Sequence, residues 1–515
     1  MKDNRLDPAP KKAGKPIWPK VPAGFVRSVL AGHSALGLAF AALIYLVCFS
    51  GSVAVFAREF QRWEQPNATP IAAVTPAALQ TAMEQAIARS STTVEHVRIL
   101  PPTPDLPRLT VSTDADGVEH TYAADAAGRL GDEGEAVWTE FMVLLHTALH
   151  LPRAWGGFVV GLAGVALLSS LISGVLAHPR VFKDAFHLRW GGAKRLQEAD
   201  LHNRAGVWAL PFHVIVSLTG ALLGLSTLIV GILALAMFQG DTSKAYALFV
   251  PVIPDDPRPA VAPPDLAAAV EAAQRLAPDA RPTFISIEHP AEQGQTVMVN
   301  LARPNRVAAG SSLYFDGQGR LLDISRTTEP NLGQKILASL GPLHFGWFGG
   351  IVVKLAYGLL GLALTAVTAS GVAIWLARRR DKGRPAPRWE RIWIGAVWSQ
   401  PLAFAASALI VLALSSTAAS TPLLVWGLVT GTTLGLSVWV EPARLSRILR
   451  LVSAVALGLV VLTHLLRQGA HYEDSAAWAM NGALIAIAAL LAWTVLRPAI
   501  RRTSQAATAE QTRAT

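Results

Sequence analysis

One cysteine, Cys48, occurs in 515 residues. An intrachain disulfide is therefore excluded, and so is the Cys-x-x-Cys-His motif of covalent haem attachment. Charge is scarce: 16% of residues are Asp, Glu, Lys or Arg, against 52% hydrophobic. No Gly-x-Gly-x-x-Gly sits at a strand-to-helix turn in a polar segment, so a nicotinamide fingerprint is missing. Acidic residues are absent from the first four long apolar runs, where Lys354 is the only strong charge. That absence disfavours proton or cation transport, which recruits intramembrane carboxylates.

What is there in quantity is apolar helix. A membrane helix needs about 20 apolar residues. Eight runs qualify, near 30–57, 155–177, 206–238, 350–377, 392–414, 422–440, 448–465 and 476–496. The reading is a polytopic α-helical membrane protein of about eight spans. The net charge of +10 is not a nucleic-acid signal, because 27 of the 45 Lys and Arg residues fall in segments 1–32, 178–204, 378–391, 441–450 and 497–515. Those are alternate compartments, as the positive-inside rule requires when both termini are cytoplasmic. No nucleic-acid partner is expected; lipid is. The first run is too long for a signal-peptide core and reads as a retained helix.

Two polar stretches interrupt the spans on the side opposite the basic loops. In each, a helix precedes short strands: Pro76 to Arg89 before 94–100, 108–114 and 118–124, and Pro264 to Leu276 before 282–288, 296–302 and 312–316. Asp116-Gly117 suits a hairpin turn. Both stretches end alike, in Asp125-x-x-Gly128-Arg129-Leu130 and Asp316-x-x-Gly319-Arg320-Leu321. They read as two copies of one small α+β module, and the two arginines as hairpin-end residues.

The spans repeat too. His33, Gly37 and Ser50-Gly51 recur 169 residues later as His202, Gly206 and Thr219-Gly220. Leu149-His150, Gly156-Gly157 and Ser173-Gly174 recur as Leu343-His344, Gly349-Gly350 and Ser370-Gly371, with a drifting lag. A duplicated unit places its chemistry where the copies meet. The last four runs carry no such repeat, and 379–391 reads as the linker to them.

Of thirteen histidines, His33, His146, His150, His178, His202, His213 and His344 lie in or beside the first four runs. Intramembrane ionisable residues mark function. Imidazole without carboxylate favours haem iron, which takes neutral nitrogen ligands. His33 and His202 start equivalent spans near the basic face; His146, His150 and His344 cluster near the other. One haem near each face would give an electron path across the membrane. His213 follows His202 by eleven residues, roughly 16 Å deeper on nearly the same face of a straight helix. His146 and His150 share a helix face, and either could ligate. His96, His120, His187 and His289 read as surface residues, and His464 and His471 as flanking one end of an apolar run. Trp155, Trp347, Trp375 and Trp439 suit an interface belt.

The run SGVLAHPRVFKDAFHLRW…DLHNRAGVWALPFHVIVSLTG, with GHSALGL before it and LHFGWFGG after it, resembles the PepSY-associated transmembrane helix family over about residues 25–380. The α+β modules resemble PepSY domains. The resemblance implies a bacterial inner-membrane b-type dihaem oxidoreductase that reduces ferric siderophore iron on the periplasmic side. It marks His33, His146, His150, His202, His213 and His344 as cofactor-binding, with His33, His202, His146 and His344 on haem iron. A separate donor, quinol or a cytoplasmic reductase, is then required.

The expected organisation is a cytoplasmic N-terminus (1–29), span one (30–57), periplasmic module one (58–150), spans two and three with their basic loop (151–238) and periplasmic module two (239–343). Span four (344–378), a cytoplasmic linker (379–391), spans five to eight (392–496) and a cytoplasmic tail (497–515) complete it. The rival class is a PepSY-containing binding or regulatory membrane protein without redox activity, whose histidines only pack or cap helices.

Overall fold

The computed structural model describes residues 22–134, 136–177, 194–248, 256–260, 262–303, 310–325, 332–469 and 474–514. His178, His187 and His471 lie outside the described residues. The protein is a mostly helical, multi-pass membrane protein. Among the described residues, five helices are long and apolar enough to cross a membrane: Arg153–Ala177, Gly350–Asp381, Pro387–Leu414, Pro442–Gln468 and Ser475–Arg497. Two bent pairs raise the number to seven, Ala23–Ala39 with Ala41–Ala54 (68°) and Glu198–Trp208 with Leu210–Gly224 (70°). The run near 422–440 forms the helix Ser420–Ser437.

The bends correct one sequence expectation. His202 and His213 do not share a straight helix, because the chain turns between them at Ala209. Pro211, in the first turn of the second segment, lacks the N–H that would continue the ladder, and its ring crowds the preceding turn. The equivalent break at Phe40 has no proline. Each break falls seven residues after its histidine, His33 or His202, so the kink is duplicated with the sequence.

Two further helices lie between the sheet and the spans. Val137–Ala148 carries His146, and Leu332–Phe345 carries His344. Neither was expected as a separate element. Apolar length alone does not show where a short helix stops and a span begins.

The two α+β modules fuse into one eight-stranded antiparallel sheet, in the order β4-β3-β2-β1-β5-β6-β7-β8. The strands are β1 His96–Leu100, β2 Leu109–Ala115, β3 Val118–Ala124, β4 Leu130–Glu133, β5 Arg281–Glu288, β6 Thr296–Ala302, β7 Gly310–Asp316 and β8 Leu321–Ser325. β1 and β5 join the copies, with His96 opposite Glu288 and Ile99 opposite Ile285. β4 and β8, the short edge strands, are additions to the sequence reading.

Each module helix starts on a side-chain cap, which satisfies an otherwise orphaned N–H. Thr75 accepts from the Ala78 amide (3.2 Å) at the helix Pro76–Arg89, and Asp265 from the Ala268 amide (2.8 Å) at Leu266–Leu276. Alanine-rich faces of both helices pack with Val97, Ile99, Ile285, Val297, Val299 and Phe315 in one core. Asp116 and Gly117 both have positive φ (53° and 75°), as a two-residue hairpin turn requires.

The repeated ending has a packing reason. A Cβ on Gly128 would overlap the Ala78 backbone, and one on Gly319 would meet Ala268 and Ala269. In both copies the arginine closes the turn on its aspartate, Arg129 on Asp125 (2.8 Å) and Arg320 on Asp316 (2.7 Å). These arginines are the hairpin-end residues the sequence indicated.

Candidate functional site

Four short dipeptides on the spans each seat one histidine. Their small second residue is what makes room. A Cβ on Gly51 would stand 2.5 Å from the His146 ring, one on Gly220 2.8 Å from His344, one on Gly174 3.4 Å from His33, and one on Gly371 3.4 Å from His202. Beside each glycine a hydroxyl meets Nδ1: Ser173 on His33 (3.1 Å), Ser370 on His202 (3.0 Å), Thr219 on His344 (3.0 Å) and, more loosely, Ser50 on His146 (3.4 Å). Backbone carbonyls add to this, Ser170 at His33 (2.9 Å) and Val47 at His146 (3.0 Å). The Val216 backbone, equivalent to Val47 in the repeat, faces His344.

The arrangement fixes the tautomer. Each hydroxyl already donates its proton to a carbonyl on its own helix, Ser50 to Leu46, Ser173 to Ser169, Thr219 to Ile215 and Ser370 to Val367. A carbonyl can only accept, so Nδ1 carries the ring proton at His33 and His146, where the Ser170 and Val47 carbonyls meet it, and a hydroxyl that keeps its bond to its own helix accepts in the same way at His202 and His344. Nε2 is left as the unprotonated nitrogen. This is how metal-binding histidines are commonly held: a second-shell acceptor on one nitrogen orients the ring and raises the basicity of the other.

The cradles are reciprocal within each copy. His33, on the first span, rests on the second span, while His146, at the head of the second, rests on the first. His202 and His344 repeat this between the third and fourth spans. The copies then meet through their histidines. The rings of His146 and His344 have centres 6.2 Å apart and planes within 16° of parallel. His33 and His202 line one cavity of about 210 Å³, together with Gly37 and Gly206. A Cβ on either of these glycines would meet nothing within 4 Å. Among the described residues, Arg378 is the one charged residue lining the cavity.

The other candidate histidines are placed differently. His150 ends its helix in a left-handed turn (φ 54°), and its Nε2 donates to the Phe141 carbonyl (2.9 Å) while the ring stacks on Phe141. The i,i+4 ambiguity thus separates into His146 in a cradle and His150 at a helix end. His213 is fully buried on the segment that bears Thr219-Gly220. The Leu360 backbone faces it, but neither ring nitrogen has a well-formed hydrogen bond among the described residues. His464 lies inside the helix Pro442–Gln468 and is fully buried, rather than flanking its end. His96 pairs with Glu288 and His289 is half-exposed, both on the sheet. Among the described residues, no group of three or more His, Cys, Asp or Glu is placed to hold a bare metal ion.

Charged side chains gather at the sheet end of the spans. Lys354, 2% exposed, bridges Glu59 (2.6 Å) and Asp105 (3.2 Å). Glu64 accepts from the Trp138 and Thr139 amides (2.9 and 2.7 Å) at the start of the His146 helix, and from the Thr139 hydroxyl. Burial pushes the Glu64 carboxyl up to about 7, against the pull of those hydrogen bonds.

The sequence shows the four Ser/Thr-Gly dipeptides as repeats, and Gly51 and Gly220, like Gly37 and Gly206, read as room for a flat macrocycle against the helix backbone; the structure sets histidine rings against Gly51 and Gly220 instead. That task appears only when the fold brings each one to a histidine from another segment. Arg378 was read as the end of span four and the first of the basic residues of 378–391, and only its place at the cavity singles it out.

Fold and site together define a duplicated, multi-pass membrane protein with paired histidines between its copies. A family model described as the PepSY-associated TM region matches residues 30–378, and the chain belongs to that family. The chain is also similar to an uncharacterized protein of Pseudomonas aeruginosa, 28% identical over 255 residues, covering 47% of this chain and 64% of the relative. The match thus spans just under two thirds of that relative's length.

Proposed function

We propose that the protein is a b-type dihaem electron carrier of the bacterial inner membrane that reduces ferric siderophore iron at the periplasmic face. The observation that carries this reading is the set of four cradles, each presenting an unprotonated imidazole nitrogen to a space shared with a histidine of the other copy. His146 and His344, with ring centres 6.2 Å apart, are the pair that would hold a haem iron through neutral nitrogen donors on the sheet side. The apolar cavity at His33 and His202, open over Gly37 and Gly206 and, among the described residues, charged only at Arg378, has the lining that a flat macrocycle with an anionic edge would take.

In this assignment His146 and His344 hold one haem on the sheet side, and His33 and His202 hold the other on the basic side. Haem supplies a one-electron Fe(III)/Fe(II) couple when bound. The protein's own residues hold neutral nitrogen donors, exclude water and fix the rings from behind. Arg378 is a counter-ion for a carboxylate. His213 faces the cofactor space as a hydrogen-bonding neighbour, and His150 serves as a helix end.

Electrons enter at the basic, cytoplasmic end from quinol or a reductase, and leave at the sheet end to a ferric chelate. Reduction releases the metal because hard oxygen chelators hold Fe(III) far more tightly than Fe(II). Ser420–Ser437 is a further span, sixth in chain order, which brings the total to eight; both termini are cytoplasmic, and the sheet is a pair of periplasmic PepSY-like modules.

The test is an optical spectrum of the purified protein, before and after dithionite, with a pyridine haemochrome assay. About two b haems per chain, reoxidised by a ferric siderophore, are expected. No haem after expression with ample haem supply would leave a PepSY binding protein instead.

A further inference from the structure

The last four helices repeat nothing in the first four, and the proposed electron path does not pass through them. Their contacts are nonetheless concentrated. Two of them, Pro442–Gln468 and Ser475–Ala514, meet one short helix, Ala57–Glu64, which follows the first bent span. Arg62 makes two hydrogen bonds to Asp474 (3.0 and 2.8 Å), which is 4% exposed. Trp63, 1% exposed, donates its indole N–H to Asn481 (2.8 Å). The Asn481 amide donates to His464 Nδ1 (3.2 Å), and His464 Nε2 donates back to the Trp63 carbonyl (2.7 Å). The His464 ring lies flat on the Trp63 indole at 4.7 Å. This is a closed ring of three residues in which each of these bonds has a donor and an acceptor, as a buried polar network must to avoid a desolvation penalty.

The same short helix governs the His146 helix. Glu64 caps its first amides. Phe60 and Trp63 pack edge-on against Trp138 at 4.9 and 6.3 Å. From the other side, Trp138 donates to Ser407 (2.9 Å), and Phe141 packs on Phe404 and Trp426. The helix that presents His146 is therefore gripped at its start by residues of the last four helices and by a short helix that they hold. At the opposite end the contacts are of another kind: Trp393 packs with Leu38, Ala41 and Trp375 and donates to the Ala369 carbonyl (3.1 Å), next to Ser370 of the His202 cradle, without a buried polar ring.

We infer that the last four helices are a positioning module for the sheet-side His146–His344 site, acting through the Trp63–Asn481–His464 ring and the Glu64 cap. The inference rests on the proposed dihaem reading for its electronic consequence, but the mechanical part stands without it. Trp63, Asn481 and His464 are positioning residues. They touch neither the histidine pair nor a substrate.

The experiment uses the full chain in nanodiscs with Asn481→Leu and, as a gentler change, Trp63→Phe, which keeps an aromatic ring and removes the indole N–H. Hydrogen exchange is read first, because it needs no haem. Backbone amides of 137–148 should exchange at least several-fold faster in both variants, with the sheet strands unchanged. Unchanged exchange in 137–148 overturns the proposal whether or not haem is present. Equal acceleration in the sheet also overturns it, because the effect would then be general destabilisation.

In haem-loaded protein, low-temperature electron paramagnetic resonance and potentiometry then separate the two sites, with His146→Ala marking the sheet-side signal. The sheet-side signal and midpoint should move and the other should stay. Movement of both sites together, or of the basic-side site alone, overturns the proposal. Haem absent from the wild-type protein as well would defeat the dihaem reading and leave the exchange result to decide this one.

Discussion

His146 and His344 come from different copies of the repeat, yet their imidazoles stand with ring centres 6.2 Å apart and nearly parallel planes. Each is seated on a Ser/Thr-Gly step of the span that begins its own copy, Ser50-Gly51 for one and Thr219-Gly220 for the other. The glycines are therefore a sensitive place to test the site. Gly51→Ala and Gly220→Ala put a methyl 2.5 and 2.8 Å from the rings, closer than packed atoms tolerate. Each should lower bound haem from about two to about one per chain. Gly174→Ala and Gly371→Ala meet their rings at 3.4 Å and should keep both haems. The pyridine haemochrome assay reads all four, and equal loss in every variant would refute the cradle geometry.

Lys354 is the strong charge that the sequence showed inside an apolar run. It is a buried tie between the fourth span and Glu59 and Asp105. Removing one partner of a buried pair costs about 3 kcal/mol, mainly by stranding the other. Glu59 is already short of partners, since its Oε2 has no hydrogen bond. Lys354→Met should therefore lower the unfolding midpoint clearly, and Lys354→Met with Glu59→Leu should recover most of the loss. A double variant as unstable as the single one would mean that the charge itself is required.

The legible parts of this molecule were those with a strong local signal. The module helix Pro76–Arg89 was legible from Pro76, a proline at the first helical position. The Asp116-Gly117 turn was fixed by its need for positive φ. The repeat was legible as spacing. What was not legible depends on contacts between distant segments. His150 and His146 share a helix face in sequence, and only the left-handed turn after Ala148 takes His150 out of the cradle. The join of the two modules through β1 and β5 leaves no local mark, because either strand would read the same at a sheet edge. The break at Ala209 had a proline beside it, but a run of apolar residues on both sides made it read as one straight helix.

Glu64 gives the protein a pH dependence with a definite sign. Its carboxyl lies at about 7 in the folded state, above the ordinary 4.5. Between these values the unfolded chain has released the proton and the folded chain has kept it. Stability from this group is full below 4.5 and is lost as pH rises through 7. The apparent unfolding temperature should fall across that window, and Glu64→Gln should flatten the fall. A slope that survives the substitution would assign the titration to another group.

His213 sets two requirements against each other. A fully buried imidazole whose nitrogens lack well-formed hydrogen bonds costs about 1 to 3 kcal/mol. A chain that only packs there would be better served by leucine. The proposed cofactor changes the balance by giving the ring a polar neighbour. His213→Leu should therefore stabilise haem-free protein by about 1 kcal/mol and fail to stabilise haem-loaded protein, while both haems still bind because His213 is not a ligand. Thermal unfolding of the two forms, with haem counted in each, makes the comparison. Equal stabilisation in both forms would mean that His213 does not face the cofactor space. Loss of a haem would make it a ligand, and one of the four cradled histidines would then have to be released from that role.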